Sequence, residues 1–177
     1  MYNCGIFKEG YNVSKRVAVA FTGPSNSGKT TLIEKIAKVL VPTRKVAIIK
    51  NDPKDKATFD IVGKDSYKFF QTGAEVVVTS PTRTTYFSHQ EKSLEEIVSM
   101  INDFEILLVE GLKTLPLPRI AIFRDRIDES YLECSEAIAV DESVDLSAYS
   151  IPDTIDILNL NDTEEIIRWI DTHAKEI

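Results

Sequence analysis

The chain has 177 residues, of which 43% are hydrophobic and 28% are charged, as is typical of one globular domain. No apolar run approaches the roughly 20 residues of a membrane-spanning helix, so the sequence predicts a protein without a membrane segment. The net charge of −7 argues against a general nucleic-acid binder.

The N-terminal residues 1–16 have no apolar signal core and contain glycines typical of a loose arm. We expect this arm to precede a single domain over residues 17–177. The two cysteines, Cys4 and Cys134, are far apart and have no partner at metal-ligand spacing. This pattern predicts buried or idle thiols in a reducing environment, and therefore a cytoplasmic protein.

A glycine-rich octapeptide lies between the first predicted strand, residues 17–21, and the first predicted helix, residues 31–40. It matches the phosphate-binding pattern G-x-x-x-x-G-K-[ST] at every fixed position. Its residues are Gly23, Pro24, Ser25, Asn26, Ser27, Gly28, Lys29 and Thr30.

Each fixed position of this octapeptide has a chemical role in holding a phosphate. The two glycines let the backbone approach the anion without a Cβ in the way, and the N–H groups of the first helical turn point at it. Lys29 is expected to reach the β- and γ-phosphates, and the Thr30 hydroxyl to bind Mg²⁺. The alternative is a glycine-rich turn that binds nothing, which the flanking strand and helix disfavour.

Farther along the chain, strand and helix patterns alternate. This predicts an α/β fold of three layers, a P-loop NTPase architecture with a mostly parallel central sheet flanked by helices. The predicted helices cover residues 65–71, residues 93–101 and a segment that begins at Asp162 or Thr163. The predicted strands cover residues 44–50, 75–79, 84–87, 104–111, 119–124, 137–141 and 156–160, and the segment 84–87 is expected to pair with 75–79.

Acidic residues near two predicted strand ends are candidates for a metal site. Glu110 ends the strand over residues 104–111, where P-loop proteins place the acid that holds Mg²⁺. The alternative is a surface carboxylate at a strand end. Asp52 and Asp60 lie in the charged loop over residues 51–63 and are the runner-up acids for binding a metal or positioning water, with Asp60 preferred.

Two further patterns leave alternatives open. Lys50, Lys64 and Lys113 are candidates for binding a second anion, or are simply solvated charges. Asn159 and Asp162 have the spacing of the guanine-binding pattern N-K-x-D, but the lysine is missing. A helix cap explains Asp162 more simply, and we prefer that interpretation.

Three segments in this order carry a resemblance to a known family. They are the loop extended through Thr31, the sequence G-K-D-S at residues 63–66 followed by T-G-A at 72–74, and L-L-V-E-G-L-K at 107–113. From about Val17 to Arg124 the chain resembles the molybdopterin-guanine dinucleotide biosynthesis protein B (MobB) family. The second and third segments make this resemblance more selective than the loop alone.

The resemblance implies a protein that binds GTP with Mg²⁺, hydrolyses it slowly at most and forms a homodimer. It also implies an adapter for the nucleotidyltransferase (protein A) that attaches GMP to molybdopterin. No nucleic acid and no membrane would take part. That transferase, rather than this chain, would perform the main chemistry.

The resemblance also assigns residues by position. Glu110 would be the acid on the Mg²⁺ side, and Asp60, Lys64 and Asp65 would line the site opposite. The residues that contact phosphate and metal would be Gly23, Gly28, Lys29, Thr30 and Thr31. We take Lys29 and Asp60 as the catalytic candidates. The chain departs from the family at Asn51, where a His is common.

Two other functions are compatible with the loop. A small-molecule kinase would need a lid rich in arginine, whereas the candidate arginines for such a lid are scattered, at Arg83, Arg119, Arg124 and Arg126. A metallochaperone GTPase would need Cys or His ligands at metal spacing, and the sequence offers none. We therefore rank both below the adapter.

Overall fold

The computed structural model describes residues 15–177; residues 1–14, which include Cys4 and most of the predicted arm, lie outside the described residues. Backbone contacts divide the chain into two compact units. The first contains the described residues through Asn51 together with Asp103–Ile177, and the second contains Asp52–Asn102. The single domain expected over residues 17–177 stays a prediction.

Every predicted strand and helix is present, with ends displaced by at most two residues. The elements of the described chain are, in order, β1 (Val17–Thr22), α1 (Lys29–Leu40), β2 (Val46–Lys50), α2 (Asp65–Phe70), β3 (Val76–Thr79), β4 (Thr84–Phe87), α3 (Leu94–Ile101), β5 (Ile106–Glu110), β6 (Arg119–Phe123), β7 (Ala137–Val140), β8 (Asp156–Asn159), α4 (Thr163–His173) and β9 (Lys175–Glu176). β9 and two short 3-10 segments, Glu129–Cys134 and Leu146–Ala148, are present in addition to the predicted elements. No helix in this part of the chain is long and apolar enough to cross a bilayer.

The first unit is built on a seven-stranded sheet in the order β2-β5-β1-β6-β7-β8, with β9 antiparallel to β1. All its other strand pairs are parallel. β1, β5, β6 and β7 are apolar runs buried along nearly their whole length, as parallel strands covered on both faces must be. The predicted mostly parallel sheet flanked by helices is confirmed.

Two amphipathic helices cover one face of this sheet. α1 buries one stripe of its surface, formed by Leu32, Ile33, Ile36 and Leu40. α4 buries Ile166, Trp169 and Ile170, and its partly buried Ile167 packs against the same core. The Asp162 carboxylate accepts a hydrogen bond from the Glu165 N–H at 2.9 Å. The helix-cap interpretation of Asp162 is therefore confirmed.

The second unit contains α2, the β3–β4 hairpin and α3. β3 and β4 pair antiparallel, as predicted, with Val76 opposite Phe87. Ser93 and Glu96 form a capping box at the start of α3. The charged segment before α2 contains no helix or strand, which agrees with the predicted loop.

Candidate nucleotide site

The loop between β1 and α1 adopts a conformation that leaves no room for a side chain at Gly23. This residue has a φ of +135°, and a Cβ placed on it would lie 2.4 Å from the carbonyl oxygen of Ile122 on β6. Gly28, with a φ of +100°, is the last residue before α1. The backbone thus passes close to β6 and then turns directly into the helix, which requires glycine at both positions.

The polar groups of the loop have the arrangement of an anion site. Among the described residues, the backbone N–H groups of residues 28–31 have no acceptor. The hydroxyl of Ser27 is buried and has no hydrogen-bond partner there either. Open N–H groups at a helix N-terminus together with an unpaired buried hydroxyl are groups that phosphate oxygens satisfy. The loop therefore fits the phosphates of a nucleotide.

Lys29 lies across this loop. Its Nζ donates to the carbonyl oxygens of Gly23, at 2.9 Å, and Pro24, at 2.6 Å. Burial is the main cause that lowers the pKa of Lys29; the Glu110 carboxylate opposes this shift, and neighbouring lysines add to it. A partly buried ammonium near other cations gains from a nearby anion, so the charge of Lys29 also favours phosphate binding.

Glu110 lies at the end of β5, between two other elements of the site. The parallel register sets it beside Phe21 of β1 and Lys50 of β2. Its carboxylate accepts from the Lys50 Nζ at 2.8 Å and, at a longer distance of 3.3 Å, from the Thr30 hydroxyl. Since the Glu110 side chain is only 12% exposed, Lys50 supplies the counter-charge that a mostly buried carboxylate needs.

Thr30 and Glu110 form a hydroxyl–carboxylate pair whose chemistry fits Mg²⁺. This cation is usually held by one or two carboxylates together with substrate phosphates and water, rather than by a cage of protein ligands. No cluster of three or more Cys, His, Asp or Glu residues suited to a metal occurs in residues 15–177. A metal at Thr30 and Glu110 would therefore take its remaining ligands from bound phosphates and water.

A second charged pair lies on the other side of β1. Arg124 follows β6, and its Nε lies 3.3 Å from a Cβ placed on Gly28. The same Nε is 3.5 Å from the Asp141 Oδ2, at the end of β7. Asp141 is not among the predicted site residues, and Arg124 is predicted only as a candidate arginine for a kinase lid. The signal for both is topological, because parallel strands next to β1 end at one edge of the sheet.

Lys113 and Arg119, which the sequence analysis also considered, have contacts of their own. The Lys113 Nζ lies 3.5 Å from the centre of the Tyr131 ring. Arg119 is buried, and its guanidinium donates to the carbonyl oxygens of Leu112, Leu115 and Cys134. Arg119 thus holds the segment after Glu110 in place and is not free to act in a lid.

Asp60, Lys64 and Asp65 belong to the second unit. The Asp60 Oδ1 accepts from the Ser66 hydroxyl at 3.1 Å, while its Oδ2 is buried without a partner among the described residues. Lys64 precedes α2, and Asp65 is its first residue. The roles of these three residues at a nucleotide stay predictions.

Comparison with known proteins identifies relatives of this chain. The family model described as molybdopterin guanine dinucleotide synthesis protein B matches residues 18–142. A relative from Methanocaldococcus jannaschii is 30% identical over 146 residues, 79% of this chain, and the chain spans 59% of that relative's length. The molybdopterin-guanine dinucleotide biosynthesis adapter protein of Haemophilus influenzae is 29% identical over 174 residues, 94% of each chain.

Solved structures agree with the fold. The crystal structure of Bacillus subtilis MobB superposes with a TM-score of 0.70 and 22% identity, covering 90% of this chain and 98% of that one. At this identity the likeness concerns the fold alone. It supports the mostly parallel sheet flanked by helices that is described above.

Proposed function

The chain belongs to the molybdopterin guanine dinucleotide synthesis protein B (MobB) family, and on that premise we propose that it is a GTP-binding adapter that assists the attachment of GMP to molybdopterin. The observation that carries this proposal is the open N-terminus of α1, with its unpaired N–H groups at residues 28–31 beside Lys29. The adapter role is that of the named relative from Haemophilus influenzae.

The residues of the loop divide the binding of GTP among them. The N–H groups of residues 28–31 and the Ser27 hydroxyl donate to phosphate oxygens, and Lys29 donates to those of the β- and γ-phosphates. Thr30 and Glu110 would hold Mg²⁺, which when bound would neutralise part of the phosphate charge. Lys50, which pairs with Glu110 at 2.8 Å, gives that carboxylate a counter-charge in the metal-free protein.

Turnover is secondary to binding in this function. Lys29 stabilises the charge of the γ-phosphoryl group, and Asp60 is the proposed residue for positioning water. Hydrolysis is slow at most. The nucleotidyltransferase (protein A), rather than this chain, forms the bond between GMP and molybdopterin.

Exposed apolar residues in the second unit support the proposal that the chain binds protein partners. Val77 and Val78 on β3 are 58% and 41% exposed, and β3 and β4 pair with no other strand of the described chain. Exposed apolar side chains on a short sheet with open edges are typical of a contact surface. We propose that the chain acts in the cytoplasm as a homodimer that binds the transferase and molybdopterin.

Nucleotide titration of the full-length protein tests this function. We expect GTP to bind at least about tenfold more tightly than ATP, since polar groups on a base discriminate by such factors or more, and Mg²⁺ to tighten GTP binding. In a co-purification assay, the GTP-bound protein should also bind the transferase. Equal affinity for the two nucleotides would contradict the proposal, and rapid ATP-dependent phosphorylation of a small acceptor would favour a kinase.

The Glu110→Gln variant tests the metal side of the site. Glutamine keeps the shape of the side chain but removes its charge, so we expect Mg²⁺ to tighten GTP binding about tenfold less than in the unmodified protein. Calorimetric titrations with Mg²⁺ and with EDTA measure this difference. Glu164→Gln is the matched control, because the Glu164 carboxylate is exposed on α4 and lies 3.9 Å from Arg168. An unchanged Mg²⁺ effect in Glu110→Gln would remove Glu110 from the metal site.

A further inference from the structure

The order of the strands gives a bound triphosphate a direction. Glu110 and Lys50 lie on the β5 and β2 side of β1, whereas β6 and β7 lie on its other side. This step rests on the proposed function: if the γ-phosphate and Mg²⁺ face Thr30 and Glu110, the opposite end of the nucleotide extends toward β6 and β7. In open parallel sheets ligands bind outside the carboxyl ends of the strands. The base should therefore lie near the residues that follow β6 and β7.

Two charged side chains occupy that region. The Arg124 Nε is 3.3 Å from a Cβ placed on Gly28, so the guanidinium lies directly beside the start of α1. It contacts the Oδ2 of Asp141 at 3.5 Å. The Oδ1 of Asp141 accepts from the backbone N–H of Ser143 at 3.1 Å and also from the Ser143 hydroxyl. The carboxylate is thus held in one orientation by groups on two strand ends.

The chemistry of this carboxylate suits guanine. The Asp141 side chain is 11% exposed, and the Ser143 hydroxyl is the main cause that lowers the pKa of Asp141, so the group is an ionised acceptor at neutral pH. A carboxylate has two oxygens and about four acceptor positions. Both hydrogen bonds from Ser143 go to Oδ1, and Oδ2 makes only the long 3.5 Å contact with Arg124, so acceptor capacity remains at Oδ2. Guanine presents two adjacent donors, N1–H and the N2 amino group, whereas adenine presents an acceptor at N1. A fixed carboxylate therefore favours guanine and repels adenine.

Asp162, the other acidic candidate for recognising the base, caps a helix instead. Asp162 follows β8, which lies beyond β7 in the sheet, and its carboxylate accepts from the Glu165 N–H as the cap of α4. Asp141 is nearer to β1 in strand order and pairs with the residue that lies beside Gly28. We propose that Asp141 is the carboxylate that selects guanine in this chain, and that Arg124 is the residue that positions it.

The Asp141→Asn variant tests this assignment with GTP and xanthosine triphosphate (XTP). Xanthine carries a carbonyl in place of the N2 amino group, and the amide of asparagine can donate to it. We expect the affinity for GTP to fall by about 10- to 100-fold, as for the loss of charge-assisted hydrogen bonds, and the affinity for XTP to rise until XTP binds more tightly than GTP. A variant that keeps the GTP preference of the unmodified protein would overturn the assignment.

Asp162→Asn is the matched control. Asparagine caps a helix about as well as aspartate, so this variant should fold and keep the GTP preference. A switch toward XTP in Asp162→Asn would overturn the proposal in favour of the position after β8. If Asp141→Asn does not fold, Asp141→Glu is used in its place. Its longer carboxylate should lower the preference for GTP over ATP. An unchanged preference for GTP over ATP in Asp141→Glu would also overturn the proposal.

Arg124 needs a test that separates positioning from folding. We expect Arg124→Ala to narrow the preference for GTP over XTP, and Arg124→Lys, which keeps the charge, to restore part of it. An unchanged preference in Arg124→Ala would remove Arg124 from the proposal. These outcomes are distinct from a failure of the proposed function, which would appear in the unmodified protein as no nucleotide binding or as equal affinity for GTP and ATP.

Discussion

Replacing Lys29 with alanine is expected to lower the affinity for GTP by about 10- to 100-fold, because it removes charge-assisted hydrogen bonds to phosphate oxygens. In the structure the Lys29 Nζ donates to the carbonyl oxygens of Gly23 and Pro24, so the lysine is already held at the loop. Titration calorimetry of the purified variant with GTP and Mg²⁺ measures the change.

The control for Lys29 lies on the same helix. Lys35 is an exposed residue of α1, and Lys35→Ala removes the same side chain and charge away from the loop. We expect this variant to bind GTP as the unmodified protein does. Equal losses in the two variants would mean that general charge, rather than contact at the loop, attracts the nucleotide. An unchanged affinity in Lys29→Ala would exclude the loop as the phosphate site.

Gly23→Ala is expected to destabilise the protein by about 3 kcal/mol and to abolish nucleotide binding. The backbone of Gly23 has a φ of +135°, a region in which a side chain costs about 1–3 kcal/mol. The added Cβ would also lie 2.4 Å from the Ile122 carbonyl oxygen, so the loop and β6 must move apart. Denaturant unfolding with and without GTP measures both effects.

Gly63→Ala separates the two causes of the lost stability, which are the backbone conformation and the steric clash. Gly63 has a φ of +90°, but no heavy atom lies within 4 Å of the position that its Cβ would take. We therefore expect only the cost of the backbone conformation, about 1 kcal/mol. If Gly23→Ala were no more destabilising than Gly63→Ala, the close approach of the loop to β6 would not matter for folding.

The features that sequence reasoning predicts well are local ones. The loop and α1 can be predicted from the sequence because their residues are contiguous. The position of Glu110 at a strand end can be predicted because it ends an unbroken apolar run. The Asp162 cap is likewise set by residues three apart. Short-range hydrogen bonds of this kind depend on spacing alone, so the pattern and the structure agree.

The features that sequence reasoning misses depend on strand order. Lys50 contacts Glu110 only because β2 lies next to β5 in register, and Asp141 reaches Arg124 only because β6 and β7 are neighbours. No spacing in the chain encodes these pairs. β9 was missed for another reason: Lys175 and Glu176 are charged residues without apolar alternation, and pairing with β1 makes them a strand.

A structure of the full-length protein with a non-hydrolysable GTP analogue and Mg²⁺ tests the central claim most directly. We predict that the phosphates contact the N–H groups of residues 28–31, that the metal lies between Thr30 and Glu110, and that the guanine edge faces Asp141. An analogue bound elsewhere at saturating concentration, with Lys29 still donating to the Gly23 and Pro24 carbonyl oxygens, would contradict the account.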